Sequence, residues 1–199
     1  MTTEAPEKFA IAIVGLPGAG KSTAARFMNE KIDGIFHETG DIVRLMAKNH
    51  FGDDFGEISS KELGEYSTMR RETDGGDYVA QDLLEMLEKD EKFPEKPVVI
   101  CGMRDSEVPD LFSAEFDRFT VVWVHAPFKK RLERLQKRAR QDESEFTKAD
   151  LAERDGRESM WGTMDCAFGA HYFLENDECL RVLDARIDLA LLRMGVTEW

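Results

Sequence analysis

The stretch Gly15-Leu16-Pro17-Gly18-Ala19-Gly20-Lys21-Ser22 constrains this chain more than any other. It satisfies the phosphate-binding loop pattern G-x-x-x-x-G-K-[ST] at every fixed position. Its surroundings suit the pattern. Phe9-Ala10-Ile11-Ala12-Ile13-Val14 is a short apolar run with three β-branched residues and reads as a buried parallel strand. Lys21 to Lys31 contains no Pro or Gly and carries Ala24, Ala25, Phe27 and Met28 at helical spacing. Glycines let the backbone between strand and helix curl until successive N–H groups converge on phosphate oxygens. The helix adds its unpaired N–H groups and its positive dipole end. Gly15, Gly18, Ala19, Gly20, Lys21, Ser22 and Thr23 then form a nucleotide-phosphate cradle. In such a cradle Lys21 reaches the β- and γ-phosphates and the Ser22 hydroxyl ligates Mg²⁺, so ATP with Mg²⁺ is the expected cofactor.

Composition narrows the partners. The 199 residues suffice for one sizeable core and one domain. With 40 acidic against 27 basic side chains the net charge is −13, which repels the phosphate backbone of DNA or RNA. Cys101, Cys166 and Cys179 are an odd count without metal-ligand spacing, which suits a reducing cytoplasm. His37, His50, His125 and His171 are scattered and show no ligand spacing. Met1 to Lys8 is polar and acidic, unlike a secretion signal, and no apolar run approaches a membrane span. The expectation is a cytoplasmic protein whose partners are small molecules, with neither bulk nucleic acid nor membrane among them; the oligomeric state is not readable.

Strand and helix patterns alternate beyond the loop. Ile35-Phe36-His37 reads as a second strand leading into Glu38-Thr39-Gly40-Asp41, with a helix from Asp41 to about Asn49. A loop over Phe51 to Ser60, capped by Ser59 or Ser60, precedes helices from Lys61 and over Tyr78 to Lys89, broken at Asp74-Gly75-Gly76-Asp77. Pro97 to Cys101 reads as a third strand, Asp105 to Phe116 as a helix and Phe119 to His125 as a fourth strand. A helix from Pro127 to about Arg140, an acidic loop over Gln141 to Thr147 and a helix through Trp161 stopped by Gly162 follow. A last strand over Ala170 to Leu174 and a helix capped by Asn176 or Asp177, ending at Gly195, complete the chain. This alternation predicts a three-layer α/β fold around a parallel sheet. Trp123 and Trp161 read most simply as core. Arg70 and Arg71 read either as acceptor contacts or as surface residues.

Three further stretches resemble nucleotide kinases. Thr39-Gly40-Asp41-Ile42-Val43-Arg44 resembles the Ser-Thr-Gly-Asp-x-x-Arg segment of adenylate kinases. That resemblance implies that Thr39 and Arg44 bind an acceptor nucleotide and that Asp41 faces Mg²⁺. Gly40 permits a tight turn at the carboxyl edge of the sheet, and Arg44 follows Asp41 by one helical turn. Val98-Val99-Ile100-Cys101-Gly102-Met103-Arg104 resembles that family's strand ending in Asp-Gly-x-x-Arg or Asp-Gly-x-Arg, which implies that Arg104 grips the acceptor phosphate. Here the chain departs from the pattern, because Cys101 stands in place of the Asp and a thiol is a poor Mg²⁺ ligand. Asp105 is close in sequence but is expected to open a helix and point elsewhere. The run from Arg131 to Arg140, with Arg154 and Arg157 beyond it, resembles the arginine-bearing lid of small P-loop kinases.

Residues 9 to about 194 resemble archaeal adenylate-kinase-related P-loop proteins of unsettled function, often described as dephospho-CoA-kinase-like. The loop, the Thr-Gly-Asp-x-x-Arg segment, His125-Ala126-Pro127, Glu153-Arg154-Asp155, Trp161-Gly162 and Asn176 carry the match. The resemblance implies a P-loop kinase fold with a five-stranded parallel sheet in the order 2-3-1-4-5. It implies one domain: a core at about 9–40 and 95–194, a helical acceptor-binding insertion at about 41–92 and a lid at about 138–157. The implied reaction is transfer of the γ-phosphoryl of ATP to a nucleotide-like acceptor, a nucleoside monophosphate such as AMP. Lys21, Asp41, Arg134, Arg138, Arg154 and Arg157 are its expected catalytic residues, Ser22 and Asp41 its metal ligands, and Thr39, Arg44 and Arg104 its acceptor contacts. Two alternatives stay open: a dephospho-CoA kinase, and a nucleotide-binding protein that hydrolyses ATP or does not turn it over, which Cys101 motivates.

Overall fold

In the computed structural model, which describes residues 6–52, 58, 60–105, 108–138 and 146–196, β1 (Phe9–Val14) is buried along its whole length. Its residues divide by parity. Ala10, Ala12 and Val14 enter one core and Phe9, Ile11 and Ile13 another, on the opposite face of the sheet. A strand covered on both faces shows no polar alternation, which is why it reads as one apolar run.

β2 (Ile35–Glu38), β3 (Val98–Cys101), β4 (Arg118–His125) and β5 (Tyr172–Glu175) complete a five-stranded sheet of order β2-β3-β1-β4-β5. Every pairing is parallel, and the order is the expected one. Parallel pairing brings the carboxyl ends of all strands to one edge: Glu38 stands opposite Cys101, Cys101 opposite Ile13, and His125 opposite Glu175. In open α/β sheets that edge is where ligands bind.

Helices α1 (Lys21–Ile32) and α9 (Leu180–Arg193) cover one face, packing Ala24, Ala25, Met28, Leu183 and Ile187 against the sheet. Helices α2 (Thr39–Phe51), α4 (Tyr78–Leu87), α5 (Val108–Glu115) and α8 (Thr163–Phe168) cover the other through Ile42, Leu83, Phe112 and Cys166. Helix α3 (Ser60–Asp74) joins α2 and α4 in a satellite cluster of Val43, Ala47, Tyr66 and Tyr78. Leu132, Phe146 and Leu151 fasten α6 (Phe128–Lys137) to α7 (Lys148–Met160).

Several local expectations change. Gly162 does stop α7, but its φ of 95° also starts α8, a six-residue helix with no sequence signal of its own. α5 begins at Val108, so Asp105 precedes it. The final helix is preceded by Cys179 at its cap position, and Asn176 is engaged elsewhere. The expected cap at Ser59 and residues 139–145 of the expected lid lie outside the described residues. Among the described residues no helix is long and apolar enough to cross a membrane.

Candidate active site

The phosphate-binding loop lies at the carboxyl end of β1, where shape requires glycine at positions such as 15 and 20. Gly15 has φ 148° and a Cβ there would stand 2.4 Å from the Val124 carbonyl oxygen. Gly20 has φ 95°, and a Cβ there would meet Asn176 Nδ2 at 2.1 Å. Asn176 is buried just beyond β5 and donates from Nδ2 to the Ala19 carbonyl at 2.8 Å. Arg134 of α6 donates to the Ala19 carbonyl at 3.2 Å and to the main-chain oxygen of Asn176 at 2.7 Å. Arg131, one turn earlier, donates to the Pro17 carbonyl at 3.0 Å and forms a two-point ion pair with Asp155 at 2.7 Å and 2.7 Å. Bidentate pairing of this kind fixes direction as well as charge. The loop is therefore pinned from β5, α6 and, through Arg131, α7.

Lys21 folds back on the loop, donating to the carbonyls of Gly15 at 2.6 Å and Leu16 at 3.1 Å. Burial pushes its pKa below the ordinary lysine value, and the nearby Glu158 carboxylate pulls it back up. Glu158 is itself buried, lies 3.7 Å from Arg104 and has one carboxylate oxygen, Oε2, without a hydrogen-bond partner among the described residues. Burial also lowers the pKa of Arg134, with Arg138 adding to the effect.

Two clefts meet at this lysine. The larger, about 800 Å³, runs from Pro17 and Gly18 to Arg138, Arg154, Arg157 and Glu158. The smaller, about 470 Å³, is lined by Ser22, Glu38, Thr39, Arg44 and the apolar side chains of α4 and α5 among others. Lys21, Arg104 and Trp161 line both. Each cleft is of a size that holds a small organic ligand. Cations crowd the shared wall of an acidic protein, and Arg71, Arg104 and Arg157 lie 5.5, 5.9 and 5.9 Å from the Trp161 ring. An aromatic face holds guanidinium groups by cation–π attraction. Trp161 is thus a platform between the clefts, whereas Trp123 is buried in the core as expected.

The structure brings most of the sequence-predicted residues together. Thr39 lines the smaller cleft, its hydroxyl donating to the Gly102 carbonyl at 2.9 Å. Arg44 lines the same cleft and Arg104 both. Of the arginines expected to form a lid, Arg138, Arg154 and Arg157 line the larger cleft, while Arg134 is turned onto the loop carbonyls. Asp41 is placed differently from expectation. It is exposed, pairs with Arg44 at 3.0 Å and lines neither cleft, because the first turn of α2 directs it outward. The carboxylate that Ser22 meets is Glu38, whose Oε1 accepts from Ser22 Oγ at 2.9 Å. Cys101 Sγ lies 3.8 Å from the same hydroxyl, and burial pushes its pKa up to about 11. Asp105, expected to point away, is buried, lines the smaller cleft and is bonded to Arg71. Arg71 thereby lines the smaller cleft, while Arg70 binds Asp82 and Tyr66 and is structural.

Sequence reasoning passed over Glu38, Asn176, Arg131, Glu158 and Trp161 as site residues. Glu38 and Asn176 carried a signal by position, as polar residues at or just beyond a strand's carboxyl end, and Arg131 and Trp161 lay in stretches quoted only for resemblance.

Comparison with known proteins gives the family and the fold. The family model described as an AAA domain matches residues 11–154. A UPF0200 protein of Thermoplasma volcanium is 32% identical over 176 residues, covering 88% of this chain and 92% of its own. A UPF0200 protein of Methanothrix thermoacetophila is 31% identical over 188 residues, covering 91% and 95%. Among solved structures, a shikimate kinase from Bacteroides thetaiotaomicron superimposes with a TM-score of 0.61 at 17% identity, over 94% of this chain and 98% of that one. The last likeness is one of fold: a P-loop kinase-like sheet with its helices. The chain belongs to the AAA-domain family and to the UPF0200 proteins.

Proposed function

We propose that this protein transfers the γ-phosphoryl group of ATP to a nucleotide-like acceptor that carries a phosphate, most simply a nucleoside monophosphate such as AMP. The observation that carries this reading is the meeting of two clefts at Lys21 and Arg104, one reached from the donor loop and one lined by Thr39 and Arg44. A hydrolase needs room for water, whereas a transferase needs a second pocket opening onto the same phosphate. The adenylate-kinase-like Thr39 to Arg44 segment supports a nucleotide acceptor, and the kinase fold of the structural neighbours supports transfer to a small molecule.

In this reading Lys21 and the loop N–H groups hold the donor phosphates. Arg138, Arg154 and Arg157 face the transferred group from residues 138–157, acting as a lid. Arg134 engages the Ala19 carbonyl, which keeps that acceptor off the anion. Thr39, Arg44, Arg71 and Arg104 hold the acceptor in a pocket closed by the insertion at 41–92. Asp41 orients Arg44 through their ion pair. Phosphoryl transfer involves little covalent chemistry by the protein, so positioning and neutralisation of charge are the main tasks. Mg²⁺, when bound with ATP, supplies charge neutralisation at the β- and γ-phosphates. Closure over the larger cleft excludes water that would compete with the acceptor.

The test is a transfer assay with ATP and a panel of AMP, CMP, deoxynucleoside monophosphates and dephospho-CoA, following ADP and the phosphorylated product. Monophosphate-dependent product, lost in Lys21→Ala, supports the proposal. Product from dephospho-CoA alone makes the acceptor a hydroxyl. ADP formed equally with and without every acceptor favours the second reading, an ATP-hydrolysing protein, which Cys101 at the end of β3 motivates.

A further inference from the structure

We propose that Glu38 is the carboxylate that orders the divalent cation of this site, one strand away from the β3 end where Cys101 stands. This rests on the reading that the loop binds ATP with Mg²⁺. Three observations converge on it. Glu38 Oε1 lies 2.9 Å from Ser22 Oγ, the hydroxyl that a phosphate-binding loop offers to the metal. Mg²⁺ binds oxygens at about 2.0–2.1 Å in near-ideal octahedral geometry, so two neighbouring ligand oxygens stand about 2.9 Å apart. The pair is already spaced as adjacent ligands of one ion. Secondly, Glu38 is the direct cross-strand partner of Cys101 in the β2–β3 ladder, so it stands at the same height on the sheet edge. A strand spacing of about 4.8 Å separates the two backbones, and the glutamate side chain is long enough to lean back over the loop. Thirdly, the alternatives are poor. Cys101 Sγ is a soft atom at a site for a hard cation, 3.8 Å from Ser22 Oγ. Asp41 is two-thirds exposed and paired with Arg44.

Two protein oxygens are enough. Mg²⁺ keeps most of its shell as water and phosphate oxygens and takes one or two side chains from the protein. Glu38 brings a carboxylate to the loop from β2, where β3 ends in Cys101.

The experiment compares ATP binding by calorimetry in Mg²⁺ and in EDTA for the wild type, Glu38→Gln, Asp41→Asn, Cys101→Asp and the double variant Glu38→Gln/Cys101→Asp. Mn²⁺ with ATP, followed by electron paramagnetic resonance, gives a second readout of the bound ion. Glu38→Gln should bind ATP in EDTA as the wild type does and lose about 10–100-fold of the metal-dependent gain in affinity. The double variant should regain most of that gain, because the carboxylate returns at β3. Asp41→Asn should keep the gain. Retention of the full gain by Glu38→Gln, or its loss in Asp41→Asn, overturns the proposal. So does equal weakening of Glu38→Gln in Mg²⁺ and EDTA, which makes Glu38 a structural residue. A wild type that binds no ATP in either buffer overturns the nucleotide reading itself, and is thereby told apart from these outcomes.

Discussion

Asn176 offers the sharpest test of how the donor loop is held. Its side chain is buried beside the loop, with a partner at each end of the amide. The NH₂ group must face the Ala19 carbonyl, and the oxygen must face Arg134, whose Nη2 lies 3.2 Å from Oδ1. Asn176→Ala removes one short buried hydrogen bond and one long one. It leaves Ala19 to Arg134 alone and opens space against Gly20. Arg134 keeps its 2.7 Å bond to the main-chain oxygen at 176, so the loss is partial. A buried bond of this kind costs about 1–3 kcal/mol when one partner is removed. In a chain of this size 1 kcal/mol corresponds to about 2–4 °C, so the thermal midpoint should fall by about 4–8 °C for a central value. Affinity for ATP should fall by about 5–30-fold, the equivalent of 1–2 kcal/mol of lost preorganisation. The coupling with Gly20→Ala decides the mechanism. A methyl at residue 20 would stand 2.1 Å from Asn176 Nδ2, a clash that the Asn176→Ala background removes. The left-handed strain at residue 20 remains in both backgrounds. The double variant should therefore be less destabilised than the sum of the singles by more than about 0.5 kcal/mol, as contacting residues are. Midpoints from calorimetry and dissociation constants for ATP check both numbers. Additive effects, or an unchanged midpoint and affinity in Asn176→Ala, would refute the view of Asn176 as the peg that holds the loop.

Asp155→Ala should destabilise the protein by about 3 kcal/mol, since it leaves the buried Arg131 guanidinium without its two-point partner; chemical denaturation reads the loss. Trp161→Ala removes the platform under Arg71, Arg104 and Arg157, and at about 0.5–1 kcal/mol for each cation–π contact the acceptor KM should rise several-fold. An acceptor KM that stays put would return Trp161 to a packing role. At pH 8 one thiol, the exposed Cys179, should react quickly with a thiol reagent, while Cys101 and Cys166, buried and each with a pKa near 11, react only on unfolding. Between the ordinary thiol value of about 9 and 11 the unfolded chain releases protons that the folded chain keeps, so these two thiols make stability fall as pH rises. Cys166→Ser should flatten that slope, and denaturation midpoints across the window measure it.

The strand–loop–helix unit from Phe9 to Ile32 was legible because each signal is local. Hydrophobic period, the glycines at 15, 18 and 20, and the Lys-Ser pair all lie within a few turns of chain. The parallel sheet followed from the alternation of strands and helices, and its order from resemblance. α8 was not legible, because a left-handed Gly162 restarts a helix where glycine usually ends one.

By itself the sequence determined that a nucleotide phosphate has a cradle here and that arginines collect around it. Tertiary structure alone decided how those groups are shared. Glu38 meets Ser22 because β2 pairs with β3 in one particular register, and a slip of one residue would turn its side chain to the other face. Asn176 reaches the loop across 157 positions of chain, and Arg131 reaches Asp155 between two helices. Spacing along a chain encodes which face of an element a residue occupies. Which strand ends stand side by side is settled only when the sheet closes on its core, and the chemistry at that edge is set by those neighbours.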